Sequence, residues 1–144
     1  MEETKRRRFI IRAVLEGEVD VSDAPQPGGK SDMNGWTDGV AYTDLEIIQN
    51  KYINHDGVRA KYNTWNCTGY VPCDGCATLE FVNSELGSDW NCFYDENQHT
   101  LQAEIMIPTG HQTITVPEGA YYFAISELAS KLAATIENGI IPHA

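Results

Sequence analysis

Apolar and polar residues alternate in short runs along most of the chain, and turn residues separate these runs. One run has apolar side chains at every second position: Leu101, Ala103, Ile105 and Ile107. Because successive side chains of a strand point to opposite faces, this spacing predicts a half-buried strand. Between two further apolar runs, Asp56-Gly57 predicts a hairpin, since a type I′ turn needs residues that tolerate positive φ. Short strands at this spacing predict an all-β sandwich or barrel.

The N-terminal residues follow a different pattern. Residues 9–15 are apolar and partly β-branched, which predicts a first strand. Residues 22–39 contain two prolines and two glycines within five positions, followed by Asp and Asn, and this composition predicts a linker. We therefore predict two parts: an extended N-terminal attachment segment over residues 1–39 and a β-sandwich domain over residues 40–144.

The C-terminal region is open to two interpretations. Leu128, Leu132 and Ile136 recur every four residues, and Gly139 follows at a position where it could end a helix. The same stretch could instead lie extended against the sandwich. Both a terminal helix and an extended tail agree with the pattern.

The charge distribution narrows the range of partners. The 144 residues include 10 Lys+Arg and 21 Asp+Glu, for a formal net charge of −11, and half of the basic residues fall within the first twelve positions. A phosphate-binding surface needs clustered cations, so the acidic body is not expected to bind nucleic acid. No apolar run reaches the length of a membrane span, and no membrane partner is expected.

The basic N-terminal arm is the predicted attachment region. Its candidate attachment residues are Arg6, Arg7, Arg8, Phe9, Ile10 and Ile11. The arginines followed by apolar residues look like a twin-arginine export signal, but Arg12 interrupts the apolar stretch and Glu16 ends it. We therefore predict no export signal and synthesis in a cytoplasm.

Three segments carry a resemblance to a known family. They are residues 65–75 (WNCTGYVPCDG), 91–97 (NCFYDEN) and 114–126 (ITVPEGAYYFAIS). In order and spacing they resemble the jelly-roll, carbohydrate-binding-like modules of bacteriophage tail, baseplate and fibre proteins. The resemblance begins near residue 50 and implies an antiparallel, jelly-roll-like β-sandwich. Its motifs consist mostly of turn residues and core aromatics.

The resemblance implies a non-enzymatic virion structural protein, namely a decoration, fibre, tail or baseplate component. Its partners would be other virion proteins or further copies of itself, including a homotrimer, and it would be located in the virion after synthesis in the host cytoplasm. The alternative is a carbohydrate-binding module that recognises a bacterial cell-surface glycan. The sequence contains no nucleophile, metal or cofactor motif, so we expect no enzyme activity and no cofactor.

Aromatic side chains are the candidate glycan contacts, because a flat ring can lie against the C–H face of a sugar. Trp90 follows the polar run at residues 87–89 and is the aromatic that we most expect to be exposed. Tyr94 and Trp36 complete the predicted glycan-binding set. Trp65 and Phe93 are predicted to lie in the core.

Four cysteines leave three interpretations open. They are Cys67, Cys73, Cys76 and Cys92. The CxxC at residues 73–76 could bind zinc if two more thiolates converged on it, but no second CxxC or His pair is present. The alternatives are one or two disulfides, or buried thiols that act as small apolar side chains. The predicted absence of an export signal favours buried thiols, and we predict no metal site.

Overall fold

The computed structural model describes residues 34–144. Within them the strands are β1 (Ile47–Ile53), β2 (Arg59–Thr68), β3 (Val71–Pro72), β4 (Thr78–Ser84), β5 (Asn91–Tyr94), β6 (Thr100–Gln102), β7 (Gly110–Thr115), β8 (Tyr122–Leu128) and β9 (Ile140–His143). Helix α1 (Ala129–Asn138) joins β8 to β9. The predicted strand at residues 9–15 and the six candidate attachment residues lie outside the described part of the chain.

The strands form two antiparallel sheets. The larger sheet has the order β1-β2-β8-β5-β6, and β3 also pairs with β8 beyond the end of β2. The smaller sheet has the order β7-β4-β9. Phe93 and Phe123 of the larger sheet and Leu79 and Phe81 of the smaller sheet belong to one buried apolar cluster. This arrangement confirms the predicted all-β antiparallel sandwich and the core position of Phe93.

A second buried cluster includes alternate residues of the larger sheet. It contains Ile53, Cys67, Cys92, Tyr94 and Ala124. The β1–β2 hairpin is tied to this region by the Ile53 N–H, which donates to Ser126 Oγ at 3.0 Å, and by the Tyr94 hydroxyl, which donates to the Gly57 carbonyl at 2.7 Å. The hairpin is therefore anchored to β5 and β8 as well as paired within the sheet.

The packed domain begins earlier than predicted. Trp36 is 3% exposed, and its indole N–H donates to the Asp74 carbonyl at 2.7 Å. The Gly39 N–H donates to the Pro142 carbonyl at 2.8 Å. Residues 36–39 are therefore part of the sandwich, although their composition assigned them to the linker. A proline- and glycine-rich segment can end in a residue that packs in the core, and composition does not show where the packing begins.

The other local predictions are refined by the structure. Of residues 101–107, only the first two belong to a strand, and Ile107 forms an isolated bridge with Ser88. The C-terminal region contains both predicted alternatives in succession, since α1 ends at Asn138 with Gly139 as its C-cap and β9 follows as an extended strand. A local pattern cannot place β9, because its position depends on pairing with β4.

Candidate functional site

Five rings at the β1–β2 hairpin form a partly exposed group that we call the aromatic platform: Tyr52, His55, Tyr62, Trp65 and Trp90. Tyr52 lies edge-on to Tyr62, Trp65 and Trp90, with centroid distances of 5.4, 6.2 and 5.3 Å. His55 stacks on Trp90 at 4.2 Å with an interplanar angle of 6°, and Tyr62 lies nearly parallel to Trp65 at 5.9 Å. Tyr52 thus contacts both near-parallel pairs, which are His55–Trp90 and Tyr62–Trp65.

A bulge in β2 puts these rings on one face. Between the pairs Gln49–Asn66 and Lys51–Lys61, β1 contributes only residue 50, whereas β2 contributes residues 62–65. In an unbroken strand, side chains three residues apart point to opposite faces. The bulge instead brings Tyr62 and Trp65 together.

The backbone at the bulge is unusual on both strands. Asn50 and Thr64 have φ values of 60° and 71°. The left-handed region is costly for a β-branched residue such as threonine, and such conformations concentrate at functional sites. The Asn50 N–H donates to Asn66 Oδ1 at 3.2 Å, which supports the irregular backbone from the neighbouring strand.

Carboxylates line one edge of the platform. His55 Nδ1 is 3.1 Å from Glu104 Oε2, and His55 Nε2 is 3.7 Å from Asp89 Oδ1. All three side chains are about half exposed. Lys51 and Lys61 pair directly across the hairpin and lie on the face opposite Tyr52 and Tyr62, because side chains alternate along each strand. The platform therefore combines apolar ring surface with an acidic edge.

The turn that carries His55 is fixed from two sides. Asn54 Oδ1 accepts the N–H groups of Asp56 and Val58, at 2.8 and 3.0 Å. The Tyr94 hydroxyl donates a hydrogen bond to the Gly57 carbonyl from the buried side of the turn. Gly57 has a φ of 79°, whereas Asp56 is not among the residues with positive φ. The predicted hairpin is present, but its turn is not of type I′, because the Asn54 side chain and Tyr94 stabilise a different one.

The structure separates the three predicted glycan contacts. Trp90 belongs to the platform, although His55 covers one of its faces. Trp36 and Tyr94 are 3% and 1% exposed and use their polar atoms to bond backbone carbonyls. Neither ring offers a face to a ligand. Trp36 and Tyr94 are thus structural residues and are removed from the candidate site.

Sequence reasoning missed four of the five platform residues. Trp65, predicted to lie in the core, is only half-buried, and Tyr62 is 53% exposed. Tyr52, His55 and Tyr62 were not considered as ligand contacts. One signal was available: two tyrosines and a histidine flank the same hairpin turn. Nothing in the alternation of residues 59–68 indicates the bulge.

A separate polar cluster lies on the smaller sheet. His111 Nε2 and His143 Nε2 each lie 2.8 Å from a different oxygen of Glu80. Both hydrogen bonds lower the pKa of the Glu80 carboxyl, and the bond from His111 has the larger effect. No group of three or more His, Cys, Asp or Glu side chains among residues 34–144 is arranged to hold a metal ion.

The cysteines are buried thiols. All four are free, and they fall into two clusters: Cys73 and Cys76 lie between the sheets, while Cys67 and Cys92 lie in the second cluster. Burial raises the pKa of every one of them, which keeps the thiols protonated. Because the pairs are separated, the four sulfur atoms do not converge on a zinc site.

Comparisons with protein-family models, with curated proteins and with solved structures give no match to this chain. Within residues 34–144, the helix is too short to cross a membrane.

Proposed function

We propose that this chain is a non-enzymatic bacteriophage virion structural protein whose β-sandwich displays a glycan-binding surface. The observation that carries the proposal is the aromatic platform. Rigid aromatic side chains offer a large contact area at a small cost in conformational entropy, and a ring face can lie against the C–H face of a sugar. A contiguous group of partly exposed rings on the surface of a domain is also typical of an interaction site.

The polar atoms of the platform favour a ligand rich in hydroxyl groups. None of the hydrogen bonds within the described part of the chain uses the hydroxyls of Tyr52 or Tyr62, or the indole N–H groups of Trp65 or Trp90. Phenol hydroxyls and indole N–H groups of this kind can bond a sugar hydroxyl. The half-exposed carboxylates at the edge can accept hydrogen bonds from sugar hydroxyls, and charged acceptors form the stronger bonds.

The virion setting is supported by the resemblance of the three sequence segments and by the physics of weak binding. A single small platform is expected to bind a sugar weakly, and many copies on one particle would raise avidity by effective concentration. The basic arm at residues 5–12 would attach the sandwich to the particle or to further copies of the chain. That assignment lies outside the described residues and stays a prediction.

The test compares platform variants on an array of immobilised bacterial oligosaccharides, probed with the full chain. Tyr62→Ala and Trp65→Ala should each weaken retention by about fivefold or more, because truncating a central aromatic anchor removes at least about 1 kcal/mol of binding free energy. Tyr121→Ala is the matched control, since it removes a partly exposed tyrosine outside the platform. Retention unchanged in Trp65→Ala, or lost equally in Tyr121→Ala, would contradict the proposal.

The virion half of the proposal has its own readout. A chain that lacks residues 1–33 keeps Trp36 and should retain sugar binding, but it should no longer copurify with phage particles. Normal incorporation of the shortened chain would contradict the assignment of the arm as the attachment region.

A further inference from the structure

The charge around the aromatic platform indicates which saccharides it can accept. We propose that the platform binds neutral saccharides and discriminates against saccharides that carry carboxylate, sulfate or phosphate groups. This inference rests on the proposed glycan binding and names the substrate class of that site.

Two carboxylates and one imidazole form the polar edge of the platform. Asp89 and Glu104 lie on either side of His55, which is itself stacked on Trp90. Nδ1 of His55 lies 3.1 Å from a Glu104 oxygen and Nε2 lies 3.7 Å from an Asp89 oxygen, so both ring nitrogens are next to a carboxylate. An anionic sugar that approaches this edge would therefore meet two half-exposed negative charges.

No cation of the described residues compensates for this edge. Within residues 34–144, no Lys or Arg forms an ion pair or a cation–π contact with the platform. Lys51 and Lys61 lie on the other face of the hairpin. Arg59 donates to the Thr68 carbonyl at 2.9 and 3.3 Å and lies 4.3 Å from the centroid of Tyr70, so it is already engaged elsewhere.

The same carboxylates affect the two sugar classes in opposite ways. A neutral sugar can stack on a ring and donate its hydroxyls to Asp89 or Glu104. An anionic sugar loses this advantage through repulsion at short range, and repulsive elements are a common source of specificity. The net charge of −11 adds a weaker repulsion of the same sign at longer range.

The experiment uses matched saccharide pairs on one array, probed with the full chain. Each pair consists of a neutral oligosaccharide and the same backbone bearing sialic acid, sulfate or phosphate. In every pair with measurable binding, the neutral member should bind about tenfold more tightly at low salt, and the ratio should shrink as ionic strength rises because salt screens exposed charges.

Charge variants locate the effect. Asp89→Asn combined with Glu104→Gln should reduce the ratio severalfold by strengthening binding of the anionic member. Glu118→Gln combined with Glu137→Gln is the matched control, since it removes the same net charge at exposed positions outside the platform. Thermal melts of both double variants confirm that they are folded.

The possible outcomes separate this inference from the proposed function. Equal binding within the pairs, or a ratio reduced as much by the control as by the platform variant, would overturn the charge selectivity and leave glycan binding intact. Retention of no saccharide, neutral or anionic, would overturn both. Neutral preference that weakens only in the Asp89/Glu104 variant would support both.

Discussion

The aromatic rings that pack in and against the core differ from the platform rings in where their polar atoms are bonded. Trp36, Tyr42 and Tyr94 each donate to a backbone carbonyl, at 2.7, 2.6 and 2.7 Å. The platform rings contact one another and leave their hydroxyl and indole donors unused within residues 34–144. A backbone partner thus marks a ring that stabilises the sandwich.

Burial also fixes the chemical state of the structural rings. It is the largest cause of the raised pKa of both Tyr42 and Tyr94, so their hydroxyls remain protonated donors well above neutral pH. The Tyr94 bond has a second consequence, because its acceptor, Gly57, lies in the turn that carries His55. One buried ring therefore positions part of the platform.

The largest predicted effect comes from removing a buried ring. Trp36→Ala should lower the free energy of unfolding by about 3–5 kcal/mol, because it leaves a cavity and removes the shorter of the two hydrogen bonds that the Asp74 carbonyl accepts. Trp65→Ala removes a half-buried ring and should cost clearly less. Chemical denaturation of both variants measures the two losses in the free energy of unfolding. Equal losses would contradict the distinction between structural and platform rings.

Two turns with the same hydrogen-bond pattern provide a finer comparison. Asp95 Oδ1 accepts the N–H groups of residues 97 and 99, just as Asn54 Oδ1 does in the turn below the platform. The fourth residue has positive φ in both, but it is Gly57 in one turn and Gln98 in the other. A Cβ at Gly57 would lie 2.4 Å from Thr100 Oγ1. The neighbouring side chains therefore leave no room for a Cβ at Gly57, whereas the second turn already carries a side chain at this position.

Substitutions at these turns should therefore have opposite signs. Gly57→Ala should destabilise the protein by about 2 kcal/mol and weaken sugar retention, because it strains the turn that carries His55. Gln98→Gly should stabilise it by about 0.5–1 kcal/mol and leave retention unchanged, since glycine adopts positive φ without a steric cost. Thermal melts and array retention of both variants decide this, and a stabilised Gly57→Ala would refute the anchoring role of the turn.

The smallest predicted effect is a pH dependence of stability that arises from Glu80 of the smaller sheet and not from the platform. The pKa of Glu80 is lower in the folded state, so its contribution to stability is present above the unfolded-state pKa and is lost as pH falls through the folded-state value. Denaturation midpoints of the wild type and Glu80→Gln should converge as pH falls from 7 to 3. The denaturation midpoint of Trp65→Ala should change with pH as the wild-type midpoint does. If the midpoint of Trp65→Ala approached that of the wild type at low pH and the midpoint of Glu80→Gln did not, the assignment to Glu80 would be contradicted.

The sequence predicted those features of the fold that depend on a few neighbouring residues. Asp56-Gly57 correctly indicates the hairpin, and Ile107, the last apolar residue of the alternating run at residues 101–107, is buried. The same reasoning selected Trp36 and Tyr94 as ligand contacts, because a sequence shows that a ring is present but not which carbonyl will bond its polar atom. The partners Asp74 and Gly57 lie 38 and 37 residues away.

The sequence alone determined the all-β class, the acidic character and the location of the hairpin, since alternation, charge and turn preference act over a few residues. Tertiary structure decided which rings are exposed. Residues 62–65 form a bulge only because their flanking pairs with β1 leave one residue opposite four. Strand pairing sets that register, and register, not residue type, determines which face of a sheet a side chain occupies.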